Sequence, residues 1–153
     1  MINTTADRVP AHTSDSGNQR IRRQTEANVA YYARHPALIG QRLKELDAEW
    51  DIERVLEMGS STLTVTGLLM SVASSRKWLL LSLAVQGFFM QHVVQGWCPP
   101  LPMFRSLGIR TADEINRERY ALKALRGDFR QMSVSDASGA CPSVDQAIEA
   151  VRT

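Results

Sequence analysis

The side chains of this sequence best equipped for chemistry are Cys98, His92, Arg54 and Glu57, with Gln91 and Gln95 close by. A thiol attacks or accepts sulfur only as the thiolate, and a neighbouring guanidinium favours that form. An imidazole can carry a proton, ligate a metal or bond to a carboxylate. These groups flank two stretches without a formal charge, Met58 to Ser75 and Trp78 to Cys98, separated only by Arg76 and Lys77. When the chain folds back at that turn, positions equally far from it lie at similar depth. Glu57 then falls opposite Gln95 and Arg54 opposite Cys98, while Gln91 and His92 sit one turn deeper. The spacing therefore gathers Arg54, Glu57, His92, Gln95 and Cys98 at one mouth of a helical hairpin.

Each of these residues also has a plainer reading. Cys98 is either a reactive thiol or an inert buried cysteine before the Pro99-Pro100 break. His92 is a proton carrier, a metal or haem ligand, or a hydrogen-bond partner for Glu57. Metal binding has little to rest on. His92 and Cys98 form the one close soft pair, His12 and His35 fall in other segments, and two ligands do not make a zinc site. No metal and no cofactor are expected. Cys98 and Cys141 each precede a proline and form no disulfide framework, so isolated cytoplasmic thiols are expected.

The stretches that position these residues read as membrane spans. The run from Trp78 is roughly 30 Å of helix at about 1.5 Å per residue, the thickness of a bilayer's hydrocarbon core. The earlier run holds Ser60, Ser61, Thr62, Thr64 and Thr66. Such hydroxyls are tolerated in a span because they bond to the helix's own carbonyls or across to a neighbour. Ser60, Thr64, Gly67, Ser71 and Ser74 fall on one seam, the expected packing face against the second span. Arginines and lysines before the first span and after the second outnumber Arg76 and Lys77. The positive-inside rule then puts both termini in the cytoplasm. Residues 1–35 contain no apolar secretory core, so the first span is expected to act as an uncleaved anchor.

The flanks are polar. Residues 1–20 are rich in Ser, Thr, Asn and Asp and are expected to be disordered, and Arg20 to Arg34 could be a helix, though its apolar pattern is poor. From Pro36 the pattern improves, with Ile39, Leu43, Leu46 and Trp50 on one stripe. That stripe lies on the membrane surface, on a partner helix, or on this chain's own C-terminal helix. After a loop, Thr111 and Glu114 make a capping box, and Gly127 suits the helix end. Asn3-Thr4-Thr5 matches a glycosylation sequon by pattern only, and Ser143 to Arg152 could form a short helix. The expected organisation is a polar, largely disordered region at 1–35, a helical membrane domain at 36–128 and a polar tail at 129–153. Within the domain the spans run from about 57 to 75 and 78 to 97, and a C-terminal helix covers 111–126. The fold class is all-α: a two-span transmembrane helical hairpin flanked by cytoplasmic amphipathic helices. A net charge of +2 over 153 residues gives no case for nucleic acid binding.

Two spans followed by Gly96, Cys98 and Pro99, then Leu107, Gly108, Ile109 and Thr111, resemble the YgaP-like transmembrane domain family. Arg54 before the first span is a weaker match. The resemblance covers roughly residues 51–111. It implies a two-helix domain of the bacterial inner membrane, attached in the prototype to a rhodanese domain, with Gly96, Pro99, Pro100, Gly108 and Thr111 as a structural corner. The family's sulfur handling is inferred mainly from rhodanese neighbours, and the membrane domain has no established activity of its own. This chain has no rhodanese active-site loop, because Cys98 is followed by Pro-Pro-Leu-Pro, which lacks the N–H donors of an anion cradle.

Three functions follow as expectations. The first is a non-catalytic accessory in the lipid bilayer that presents Cys98 to a rhodanese-type or other sulfur-handling or redox partner. The second is a purely structural hairpin that recruits a cytoplasmic partner through residues 20–50 and 111–126. The third is a soluble helical domain with an unusually apolar hairpin core. Two spans leave much packing surface unused, so a homo-oligomer is expected in either membrane case.

Overall fold

A computed structural model describes residues 7–129, and every regular element among them is helical. The order is α1 (Arg8–Ala11), α2 (Asp15–Arg34), a 3-10 turn (Pro36–Leu38), α3 (Ile39–Ala48), α4 (Ile52–Ala73), α5 (Trp78–Gln95), α6 (Leu101–Ser106) and α7 (Ala112–Arg126). The sequon at Asn3, the second cysteine Cys141 and the short helix expected at Ser143 to Arg152 lie outside the described residues. The chain divides into two compact units, one made of Met1–Gln24 with Glu49–Ile115 and the other of Thr25–Ala48 with Asn116–Thr153.

The first unit is built on the α4–α5 hairpin. Asp51 starts α4 with an N-cap, its Oδ1 accepting the Arg54 N–H at 2.8 Å. Thr62 and Thr66 donate to the carbonyls of Met58 and Thr62, each at 2.8 Å, so these hydroxyls need no outside partner. The two helices meet along the small-residue seam. A side chain at Gly67 would place its Cβ 2.5 Å from Ser82 Oγ and 3.1 Å from the Trp78 carbonyl, so only glycine allows this approach. Ser82 Oγ donates to the Thr64 carbonyl at 3.0 Å, and Gln86 Nε2 donates to Thr64 Oγ1 at 2.8 Å. Thr64 and Gly67 thus serve the packing face expected of them, whereas Ser74, at the end of that seam, is exposed.

The outward faces of the hairpin are apolar and uncovered. Val72 is 90% exposed, and Leu83, Met90 and Val94 are each about 70% exposed. One helical stretch among the described residues, Pro36–Ala73, is long and apolar enough to cross a membrane, and only 11% of its apolar window is buried. The core helix of a water-soluble protein would have that window mostly covered. The expected second span falls short of the same standard, since α5 includes Gln86, Gln91, His92 and Gln95.

The polar N-terminal region departs from expectation, because most of residues 7–34 is helical. Ser14 caps α2, its Oγ accepting the Gly17 N–H at 3.2 Å and its carbonyl accepting the Asn18 N–H at 3.0 Å. Single apolar residues supply the burial that composition seemed to deny: Val9 is 2% exposed and Ile21 4%. A second departure lies after Pro100. Leu101–Ser106 forms α6 where a loop was expected, with prolines in its first turn, where a missing N–H is harmless.

The second unit resolves the stripe of α3. Ile39, Leu43 and Leu46 are buried, as is Leu122 of α7. Arg42 Nε donates to Glu118 Oε1 at 2.9 Å, and Arg119 Nη2 donates to the Leu46 carbonyl at 3.1 Å. The stripe is thus buried within this unit, where α7 bonds to α3 through Glu118 and Arg119. The fourth stripe residue, Trp50, is 44% exposed and belongs to the first unit.

Candidate functional site

The mouth of the α4–α5 hairpin does hold a polar cluster, but with a different membership from the one expected by depth. His92 Nε2 lies 2.9 Å from Glu53 Oε2, and its ring is fully buried. Arg8 of α1 completes the group. Its Nη2 reaches Glu53 Oε1 at 3.2 Å, and its Nη1 donates to the Val93 carbonyl at 2.5 Å. The Nδ1 atom of His92 and the Nε of Arg8 are buried without a hydrogen-bond partner.

Glu57, the expected partner of His92, is exposed, and so is Gln95. The difference is one of helical phase. Glu53 precedes Ser60 and Gly67 by seven and fourteen residues, so it continues the seam that faces α5. Glu57 matches the depth but is turned away. The seam visible in the sequence, extended back by two turns, would have found Glu53.

Cys98 is not beside a guanidinium. It is 3% exposed and packs in an apolar cluster with Val9, Ile52, Leu56 and Leu101, edged by Phe89, Trp97, Phe104 and Ile109. Burial pushes its thiol above the ordinary value, against the N–H of Leu101, and the Glu53 carboxylate adds to the rise. Arg54 instead stands over the exposed Trp50 ring, 4.4 Å from its centroid. Arg54, Cys98 and His92 therefore do not form one constellation.

The corner residues behave as a corner. Gly96 ends α5 in the left-handed conformation at φ 79°, and its N–H bonds the His92 carbonyl at 2.7 Å. Gly108 is also left-handed, at φ 87°. Pro99 and Pro100 lead into α6, and Cys98 accepts the Leu101 N–H at 3.1 Å. Thr111 and Glu114 form the expected capping box. The Thr111 N–H donates to Glu114 Oε2 at 2.8 Å, and the Glu114 N–H donates to Thr111 Oγ1 at 3.2 Å.

Below the mouth lies a polar hub that composition gave no reason to single out. Arg105 is 1% exposed. It donates to both Glu114 oxygens at 2.7 and 2.8 Å, to Thr13 Oγ1 at 3.0 Å, to the Ile109 carbonyl at 3.0 Å and to Asn18 Oδ1 at 3.2 Å. Burial acts to raise the Glu114 carboxyl, but the Arg105 guanidinium and the Thr111 N–H outweigh it and hold the group below its ordinary value. Through Arg105, the segment after α1, α2, α6 and the start of α7 are tied together within the first unit.

No family model, curated protein or solved structure matches the chain. The resemblance to the YgaP-like family therefore rests on the sequence pattern alone, from Gly96, Cys98 and Pro99 to Leu107, Gly108, Ile109 and Thr111. Among the described residues no group of three or more His, Cys, Asp or Glu side chains could hold a metal ion. The buried Arg105 and His92 side chains each bond to a carboxylate on another helix, which suits them to fixing helices in place.

Proposed function

We propose that this protein is a membrane hairpin of the bacterial inner-membrane type, crossing the bilayer through α4 and α5 with both ends in the cytoplasm. It acts as an anchor and scaffold for its polar helical flanks, with no catalysis of its own. The observation that carries this reading is the uncovered apolar surface of both helices, paired with an inner seam already sealed by Gly67, Ser82 and Thr64. An apolar surface of this extent is costly in water and costs nothing in lipid. Charge distribution supports the topology, since the exposed turn holds only Arg76 and Lys77. Trp50, with Arg54 stacked on it just before the uncharged run, suits the headgroup layer.

The polar flanks then stand at the cytoplasmic face, where exposed Tyr31, Tyr120 and Leu125 offer contact area to a partner. A role in presenting Cys98 to a sulfur-handling protein has less support, because the thiol is buried and pushed towards its neutral form.

The test is alkaline carbonate extraction combined with labelling of single cysteines placed at Ser75 and at Ser106. Retention in the membrane pellet, with Ser75→Cys labelled only from outside and Ser106→Cys only from inside, is the expected result. Release into the supernatant would sink the proposal.

A further inference from the structure

An exposed face of α5, flanking its contact with α4, carries one residue that does not belong in lipid. Leu79, Leu83, Gln86, Met90 and Val93 recur at steps of four, three, four and three, the spacing of a helix-packing seam. All are exposed: Leu79 is 44% exposed, Leu83 71%, Met90 70% and Val93 50%, and Gln86 is exposed with them. Gln86 stands at the middle of Trp78–Gln95, the depth at which a polar group is worst solvated by a bilayer. One N–H of its amide is engaged by Thr64 Oγ1 at 2.8 Å. The second N–H and the carbonyl oxygen have no partner among the described residues.

We propose that this seam is a self-association surface, closed by a second copy of the same chain with Gln86 at its centre. The inference rests on the membrane reading above and adds the partner to it. A carboxamide with one free donor and one free acceptor is its own complement. Two copies inserted with the same topology present α5 in parallel, so each Gln86 meets Gln86 of the second copy at equal depth. Two reciprocal N–H···O=C bonds then form across a twofold axis. The flanking Leu79, Leu83, Met90 and Val93 repeat on both sides and interdigitate, while the single amide fixes register, as a lone polar residue does in a coiled-coil seam. A lipid acyl chain cannot satisfy the amide.

The experiment measures energy transfer between full-length chains tagged at the C terminus, in phosphatidylglycerol–phosphatidylethanolamine vesicles, over a range of protein-to-lipid ratios. Wild type is expected to dimerise. Gln86→Leu should weaken association about three- to thirty-fold, the range given by one interhelical polar contact in a membrane. Gln86→Asn should recover part of it. Leu83→Ala should also weaken it, whereas Leu69→Ala, which removes a similarly exposed leucine from α4, should not. Carbonate extraction of each variant is run in parallel. Membrane-integrated wild type that remains monomeric overturns this inference alone, as does Gln86→Leu that dimerises like wild type. Wild type released by carbonate overturns the membrane reading and this inference together.

Discussion

The backbone of Arg8 occupies the space that a side chain at Gly96 would fill. A Cβ there would lie 2.7 Å from the Arg8 carbonyl oxygen and 2.8 Å from its carbonyl carbon. The end of α5 and the short α1 are therefore in direct backbone contact, and the Arg8 guanidinium reaches past that contact to Glu53 and the Val93 carbonyl.

Gly96→Ala should detach α1 while leaving the α4–α5 hairpin intact. The left-handed φ of 79° alone costs a non-glycine residue about 1–2 kcal/mol, and the clash with Arg8 adds to it. Amide hydrogen exchange across Arg8–Ala11 should accelerate by at least tenfold, with exchange at Thr64 to Leu68 unchanged. Equal exchange in the variant and wild type would show that α1 is not held by this contact.

Removal of the Glu53 carboxylate leaves His92 buried with neither ring nitrogen bonded. Glu53→Ala should destabilise the fold by about 1–3 kcal/mol, the usual range for orphaning a buried polar group. Glu53→Gln, which keeps an acceptor within reach of Nε2, should lose less. Denaturant titration in detergent, with His92→Leu and the double variant completing the cycle, measures the coupling. Additive effects would mean that the 2.9 Å contact contributes nothing.

Acid should loosen the first unit through Glu114. Its carboxyl is held below the ordinary value, so the unfolded chain binds its proton at higher pH than the folded one. The stabilisation is fully present above the unfolded carboxylate value of about 4.3 and is lost as pH falls through the folded value. Tm followed by helical circular dichroism should therefore fall steeply below about pH 4.3 in wild type. In Glu114→Gln the fall should be shallower, from a lower starting stability. Parallel curves would place the acid sensitivity elsewhere.

Cys98 should be slow to alkylate. A thiol that is 3% exposed and pushed towards its neutral form offers little thiolate. Its modification by iodoacetamide in the folded protein at pH 7.5, followed by peptide mass spectrometry, should be at least tenfold slower than in the denatured chain. Labelling at the denatured rate would reopen the thiol-presenting role.

The parts of the fold legible in the sequence are those set by local chemistry. Thr111 with Glu114, Gly127 after α7 and the Arg76-Lys77 turn each depend on residues a few positions apart, and each sits where spacing puts it. The Thr64–Gly67 seam was also readable, since helix geometry converts sequence steps into a face. Long-range pairing was not. Arg8 and Glu53 are 45 residues apart, and Arg105 and Asn18 are 87 apart. No local pattern marks an arginine as the one that will be buried. The depth argument failed at Glu57 because it counted residues from the turn and ignored that each residue rotates the helix by about 100°. Residues 7–34 were misjudged because mean polarity hid the few apolar residues, Val9 and Ile21, that make the contacts.

The polar matches inside the hairpin also bear on how the nascent chain enters a membrane. Thr64 offers its carbonyl and hydroxyl to Ser82 and Gln86, which lie 18 and 22 residues later in the chain. While α4 alone has left the ribosome, those partners do not yet exist, and Thr64 lacks both contacts. Once α5 is complete, the pair is less polar than either helix alone. On the membrane reading proposed above, the two helices should therefore leave the insertion machinery together.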